Sequence, residues 1–376
     1  MTPSENTESH LEEQHAGPAH LQFRRGAEDR DRTRRKLLKK RERDTLRPQI
    51  DSAATSTEAK LQGRVIRAEG AFFEIQLMEG EQIRAKTYKG TLTANPNATL
   101  VAVGDRVTVV KLEGEDAVIE SVDARQTKLA RQAAGRRDTF EQVIVSNIDT
   151  LMIVTSALEP PFRAGIVDRY IVAGLEGGLD IVIVINKMDL VTDPDYMLII
   201  KYYLEVYTEI GYPTILASSV DGTGLHELRE VLHGKTTVLA GHSGIGKSSI
   251  INALAGTELE RTGALSKKFH RGAHTTSASV LLRLGEEEDT FIVDTPGVRE
   301  FTNFEPDTHN LKFYFVEFGA LQEHCRIGNC SHTHEPDCAV RAAAEKEIIS
   351  MGRYESYVKL YDEAEKSERK RLSGSS

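Results

Sequence analysis

Thr236-Thr-Val-Leu-Ala-Gly241-His-Ser-Gly-Ile-Gly246-Lys247-Ser248-Ser249-Ile-Ile-Asn-Ala-Leu-Ala-Gly256 decides how the middle of this 376-residue chain folds. An apolar run, a glycine-rich turn and a helix-forming run follow one another without a gap, and the turn matches G-x-x-x-x-G-K-[ST]. Glycines let backbone N–H groups turn inward around phosphates, Lys247 brings a point charge to the β and γ phosphates, and Ser248 offers a hydroxyl to Mg²⁺. Gly241, Ser243, Gly244, Gly246, Lys247, Ser248 and Ser249 are therefore the expected phosphate-side contacts.

Neighbouring segments repeat the pattern. TLMIVTS (150–156), DIVIVINK (180–187), YPTILAS (212–218) and TFIVDTPG (290–297) are continuous apolar runs separated by helical stretches. Strands buried on both faces read this way, so the spacing predicts a doubly wound α/β domain with ligands at the carboxyl ends of its strands.

Asn186-Lys187-Met188-Asp189 follows the strand DIVIVI and has the form N-K-x-D. A carboxylate at Asp189 can accept from guanine N1–H and from its exocyclic amine, whereas adenine has no matching donor pair and would leave it unpaired. Asp294-Thr-Pro-Gly297 gives D-x-x-G, with the Asp acting on Mg²⁺ through water and the Gly N–H facing the γ-phosphate. His274-Thr275-Thr276 lies between these motifs, where either threonine could complete the Mg²⁺ shell, and Ser218 follows a strand as a base-loop candidate. The side chain of Val298, after Gly297, cannot hydrogen-bond a water, and His274 is the candidate for orienting the attacking one. In ordinary small GTPases the phosphate loop comes first and N-K-x-D late; here N-K-x-D precedes it, so the domain is circularly permuted.

Before this domain, short alternating runs at Gln62–Ala68, Ala71–Leu77, Glu81–Thr87, Gly104–Lys111 and Asp116–Val122 predict a small five-stranded barrel of the oligonucleotide-binding kind. Phe72, Phe73 and Tyr88 are its stacking candidates, and adjacent Phe72 and Phe73 must point to opposite faces. Arg64, Arg67, Arg84 and Lys86 are its candidate phosphate contacts. Earlier still, the basic run RDRTRRKLLKKRERD reads as a disordered arm. The expected division is 1–57 basic tail, 58–125 barrel, 139–305 permuted GTPase domain and 306–376 zinc-binding segment with a helical tail.

The three cysteines all fall in Cys325-Arg-Ile-Gly-Asn-Cys330-Ser-His332-Thr-His-Glu-Pro-Asp-Cys338. Three thiolates and one imidazole suit one closed, tetrahedral Zn²⁺ with no open catalytic position. An odd cysteine count in one stretch is not a disulfide framework, and with no signal-like N-terminus and no apolar run of membrane-spanning length the expectation is a cytoplasmic, monomeric protein. A formal net charge of −9 excludes a protein that coats nucleic acid indiscriminately.

Together, GHSGIGKSS, NKMD, HTT, DTPGVREF and CRIGNCSHTHEPDC, behind a barrel, resemble the RsgA (YjeQ) family over residues of about 60 to 345. The resemblance implies a GTPase that binds the small (30S) ribosomal subunit and its rRNA late in maturation, is stimulated by it, and leaves after GTP becomes GDP. The basic arm is longer than in the family. Ser277 stands where a third threonine is usual, so Thr275 and Thr276 both remain open as the metal ligand. A guanine-nucleotide sensor without turnover and a metabolic P-loop kinase are the competing readings. Intact Lys247, Ser248 and Asp294 oppose the first, and N-K-x-D opposes the second.

Overall fold

The computed structural model describes residues 60–112, 117–132, 140–255, 279–284, 289–294 and 306–373. All of them belong to the second of the chain's two units, Ala59–Ser376. The basic arm, His274, Thr275, Thr276 and Gly297 lie outside the described residues.

Five strands, β1 (Lys60–Glu69), β2 (Phe72–Leu77), β3 (Gln82–Thr93), β4 (Arg106–Lys111) and β5 (Ala117–Val122), close into a barrel. Closure comes from antiparallel β1–β4 pairing and parallel β3–β5 pairing. Alternation explains its interior: Val65, Ile75, Val109 and Ile119 face inward and are fully buried. Of the two adjacent phenylalanines, Phe73 joins this core, while Phe72 is half-buried on the outside. The third strand runs on to Thr93 rather than ending at Thr87, and its register against β5 shifts between Thr87 and Leu92.

A hairpin absent from the sequence reading, β6 (Lys128–Gln132) with β7 (Glu141–Ser146), leads from the barrel into the next domain. Buried Asp105 ties it down. Arg125 Nε donates to Asp105 Oδ1 at 2.8 Å and Ser146 Oγ donates to the same oxygen at 2.6 Å.

The α/β domain then follows as β8 (Thr150–Ser156), α1 (Ala164–Glu176), β9 (Asp180–Asn186), α2 (Pro194–Glu209), β10 (Thr214–Leu216), α3 (Leu225–Leu232), β11 (Thr236–Ala240), α4 (Lys247–Ala255), β12 (Ser279–Leu284) and β13 (Thr290–Asp294). Its strand order is β10-β9-β8-β11-β13-β12, parallel except for β12. Successive side chains of β8 enter opposite cores: Leu151 and Ile153 pack with Val167 and Ile171 of α1, and Met152 and Val154 with Leu228 of α3 and Ile250 of α4. This two-sided burial is why the strands are apolar throughout. At its far edge β12 pairs with β1, so barrel and α/β sheet share eleven strands.

Arg64 sits at this seam and is not available to an outside phosphate. Its Nη2 donates to Asn147 O at 2.8 Å, its guanidinium lies 5.6 Å from the Phe291 ring centre, and burial lowers its pKa.

After β13 the described chain resumes with short 3₁₀ turns, Leu311–Tyr314 and Val316–His324, then α5 (Ala339–Glu345) and α6 (Met351–Ser373). The last helix packs along α1. Among the described residues no helix is long and apolar enough to cross a membrane.

Candidate nucleotide and metal sites

Every described motif residue lies at the carboxyl edge of the parallel sheet. Asn186 is level with Ser156, and Ser218 lies two residues beyond Leu216, which is level with Ile185. Ala240 is level with Ile153, and Val293 with Val238, so Asp294 emerges beside the start of the glycine-rich loop. The strand order reverses between β8 and β11, the crevice where such sheets hold ligands.

Backbone shape follows from the glycines. Gly241, Gly244 and Gly246 have φ of +137°, +82° and +93°, conformations that side chains oppose. Space is equally restrictive: a Cβ at Gly241 would stand 2.2 Å from Val154 O, and one at Gly246 would stand 2.3 Å from Asn186 Nδ2. The second clash identifies a link that motif spacing did not reveal. Asn186, fully buried, donates from Nδ2 to Ile245 O at 2.9 Å and accepts at Oδ1 from Ser219 N–H at 3.3 Å. One amide thus joins the phosphate loop to the loop after β10.

Lys187 adopts a left-handed φ of +63° and its Nζ donates to Glu159 O. The turn carries exposed Asp189 to Ser218, whose Oγ donates to Asp189 Oδ1 at 2.7 Å. Ser218 Oγ in turn accepts from the N–H of Val220 at 3.2 Å, so the serine is both cap and carboxylate support. In the loop itself, Lys247 Nζ donates to Gly241 O and His242 O, each at 2.6 Å. Ser248 and Ser249 are exposed at the opening of α4. A cavity of about 230 Å³ lies between the loop and α1, lined by Val154, Pro160, Arg163, Tyr170, Gly241 and Ser243.

The cysteine segment converges likewise. Ligand atoms of Cys325, Cys330, His332 and Cys338 all lie within 4.8 Å of one another. A tetrahedral ion with bonds of about 2.3 Å needs donors about 3.8 Å apart, so the cluster can hold one metal ion. His332 Nδ1 faces the set, 3.5 Å from the sulfurs of Cys325 and Cys338. Burial lowers the His332 pKa to about 4 and raises those of the Cys330 and Cys338 thiols. The imidazole is thus neutral and able to ligate, and a cation offsets the cost of ionising buried thiols.

His332 takes a φ of +60°, a strained turn held by two tyrosines of α6. Tyr354 Oη donates to His332 O at 3.0 Å and Tyr357 Oη to Ser331 O at 2.5 Å. Just before them, Arg353 is buried against the α/β domain: it donates to Asp168 Oδ1 of α1 at 2.7 Å and to Glu317 Oε1 at 2.8 Å, and Tyr207 Oη also donates to Asp168 Oδ1. No motif marks these residues, because Arg353 and Asp168 stand 185 positions apart in the sequence.

A phosphate loop, N-K-x-D and an Asp at the end of β13, gathered on one sheet edge in permuted order, define a circularly permuted P-loop GTPase. The RsgA GTPase family model matches residues 122–304. The small ribosomal subunit biogenesis GTPase RsgA of Chlorobaculum tepidum is 41% identical over 80% of this chain and 97% of its own length. RsgA 2 of Bacteroides thetaiotaomicron is 33% identical over 81% and 97%. Among solved structures, YjeQ from Thermotoga maritima superposes with a TM-score of 0.64 at 30% identity, covering 81% of this chain and 99% of that one. YloQ, a circularly permuted GTPase, gives 0.63 at 25% identity over 83% and 98%. The chain belongs to the RsgA family and is a GTP hydrolase.

Proposed function

We infer that this GTPase acts in late maturation of the small ribosomal subunit, binding its rRNA and leaving once GTP is hydrolysed. The observation that carries the reading is the likeness to the small ribosomal subunit biogenesis GTPase RsgA of Chlorobaculum tepidum, matched over 97% of its length. Asp189, steadied by Ser218, selects guanine; Gly241, Ser243, Gly244, Gly246, Lys247 and Ser249 hold the phosphates. Ser248 and either Thr275 or Thr276 bind Mg²⁺, with Asp294 reaching it through water and the Gly297 N–H facing the γ-phosphate. Cys325, Cys330, His332 and Cys338 hold one structural Zn²⁺.

The rRNA-facing surface is the outer side of β2 and β3. Arg84 stacks 3.7 Å from the Phe72 ring centre and Lys86 Nζ lies 4.7 Å from it, so aromatic area and positive charge coincide. In oligonucleotide-binding barrels this sheet face is the one that takes nucleic acid. His274 orients the attacking water, a role the Val298 side chain cannot fill.

The test is GTP and ATP turnover by the purified protein, wild type and His274→Ala, with and without small subunits. Slow GTP turnover accelerated by subunits, no ATP turnover, and loss of the acceleration in His274→Ala at unchanged GTP affinity are expected. Equal use of ATP and GTP refutes the base assignment, no response to subunits refutes the ribosomal role, and full stimulation of His274→Ala removes that histidine from the mechanism.

A further inference from the structure

Helix α2 buries one side and leaves another uncovered. Ile200 and Tyr207 are buried, whereas Leu198, Ile199 and Tyr202 are 64%, 50% and 49% exposed. Leu198 and Ile199 lie one turn before Tyr202 and share its side of the helix. Tyr202 Oη meets Ser350 Oγ at 3.2 Å, and Ser350 is flanked by Ile348, 67% exposed, and Met351. Ser350 also caps α6, its carbonyl accepting from Tyr354 N–H at 3.1 Å. The Tyr202–Ser350 contact thus links two groups of exposed apolar residues, one on α2 and one at the start of α6, where the α/β domain touches the cysteine-bearing segment. Single exposed apolar residues are ordinary, but a contiguous group with a polar rim marks a docking face.

The rim is acidic. Asp195 stands one turn before Ile199 and Glu205 one turn beyond Tyr202; in the other segment Glu347 adjoins Ile348 and Glu355 follows Met351 by one turn, all exposed. Across residues 193–209 and 345–355 the exposed cations are Lys201 and Lys346, while Arg353 is buried against carboxylates. Such a rim repels phosphate backbones, unlike the Arg84–Lys86 face of the barrel. It equally opposes a second copy of this chain, because a two-fold contact would set acidic rim on acidic rim.

We propose that this face docks a basic amphipathic segment of a small-subunit protein, with apolar side chains on Leu198, Ile199 and Ile348 and cations on the surrounding carboxylates. The inference rests on the ribosomal reading above. It divides the contacts by chemistry, with rRNA on the barrel and protein on the α2–α6 seam. Because the patch spans α2 and the start of α6, its occupant bears on both domains at once.

The experiment places a photoreactive phenylalanine analogue at position 199 or, for comparison, at position 84, in the full-length protein bound to purified small subunits with a non-hydrolysable GTP analogue. A crosslink from position 199 to a basic small-subunit protein is the expected result. In parallel, Ile199→Asp combined with Ile348→Asp should weaken subunit binding about tenfold or more while intrinsic GTP hydrolysis stays unchanged. A crosslink from 199 to rRNA, a crosslinked dimer, or a crosslink from position 84 with none from 199 overturns the proposal, as does undiminished binding by the double variant. If wild-type protein does not bind subunits at all, the ribosomal reading itself fails and the docking face falls with it.

Discussion

Asn186 and Gly246 depend on each other. The asparagine crosses the loop close enough that a Cβ at Gly246 would come within 2.3 Å of its amide nitrogen, and the hydrogen bond to Ile245 O holds the loop at that distance. Gly246→Ala combines this clash with a φ of +93°, so the loop must move and the amide must lose its partner. We expect GTP and GDP affinity to fall at least a hundredfold in nucleotide titrations, with the fold retained by circular dichroism; wild-type affinity would refute the linkage. Asp189 invites a substitution of opposite character. Asp189→Asn exchanges acceptors for a donor–acceptor pair at a residue that is exposed and supported by Ser218 Oγ, so the protein should fold and prefer xanthine over guanine nucleotides. Competition binding with XTP and GTP measures this, and retained GTP preference would mean that another group reads the base.

At the scale of elements, α6 is fastened to α1 by charge inside the protein. The side chains of Arg353, Asp168 and Glu317 are 3%, 0% and 6% exposed, and Arg353 also lies 4.5 Å from the Phe315 ring centre. Removing the cation strands two buried carboxylates, a change that typically costs about 3–5 kcal/mol. Arg353→Met should therefore lower the denaturation midpoint markedly, and adding Asp168→Asn should recover part of the loss. Metal removal acts on the same element from its other side. Chelation frees the turn at His332 that Tyr354 and Tyr357 hold, so hydrogen exchange should rise across 325–340 and the start of α6 before it rises in β8 or β9. Simultaneous exchange everywhere would show the cluster to be no separate unit. Much of the architecture was legible because its determinants are local: glycine turns after apolar strands, alternation in β1 to β5, and a cysteine segment with close ligand spacing. The β6–β7 hairpin was not, since its pairing depends on partners in the barrel such as Asp105 and Arg125. The Asn186–Ile245 bond and the Arg353 clamp escaped for the same reason, being contacts between residues distant in sequence. Arg64 reads as a surface cation in a strand and turns inward because Asn147 O accepts from it and the Phe291 ring of β13 lies against its guanidinium.

Across the whole molecule, the proposed subunit contact asks how a chain of net charge −9 would bind an RNA-rich particle. An uneven distribution of charge along the chain would allow it. The barrel offers Arg84, stacked on Phe72, whereas Arg67 on the neighbouring strand is occupied by Glu69 and Glu74 at 3.2 and 3.3 Å and Arg64 is withdrawn to the seam. Each cation that neutralises an rRNA phosphate releases counterions, so the logarithm of subunit affinity should fall linearly with the logarithm of salt concentration. Arg84→Ala should then flatten that slope by about 1, one unit for the lost contact, and weaken binding at low salt more than at high salt. The corresponding loss for Arg67→Ala should be small, because its charge is already compensated within the protein. Deleting residues 1–50 should flatten the slope further without touching intrinsic GTP hydrolysis, since the arm carries a run of lysines and arginines but no nucleotide motif. Sedimentation binding at a series of salt concentrations separates these contributions. A slope indifferent to Arg84 would mean that the barrel meets the subunit through something other than phosphate contacts, and the outer face of β2 and β3 would no longer be the RNA surface.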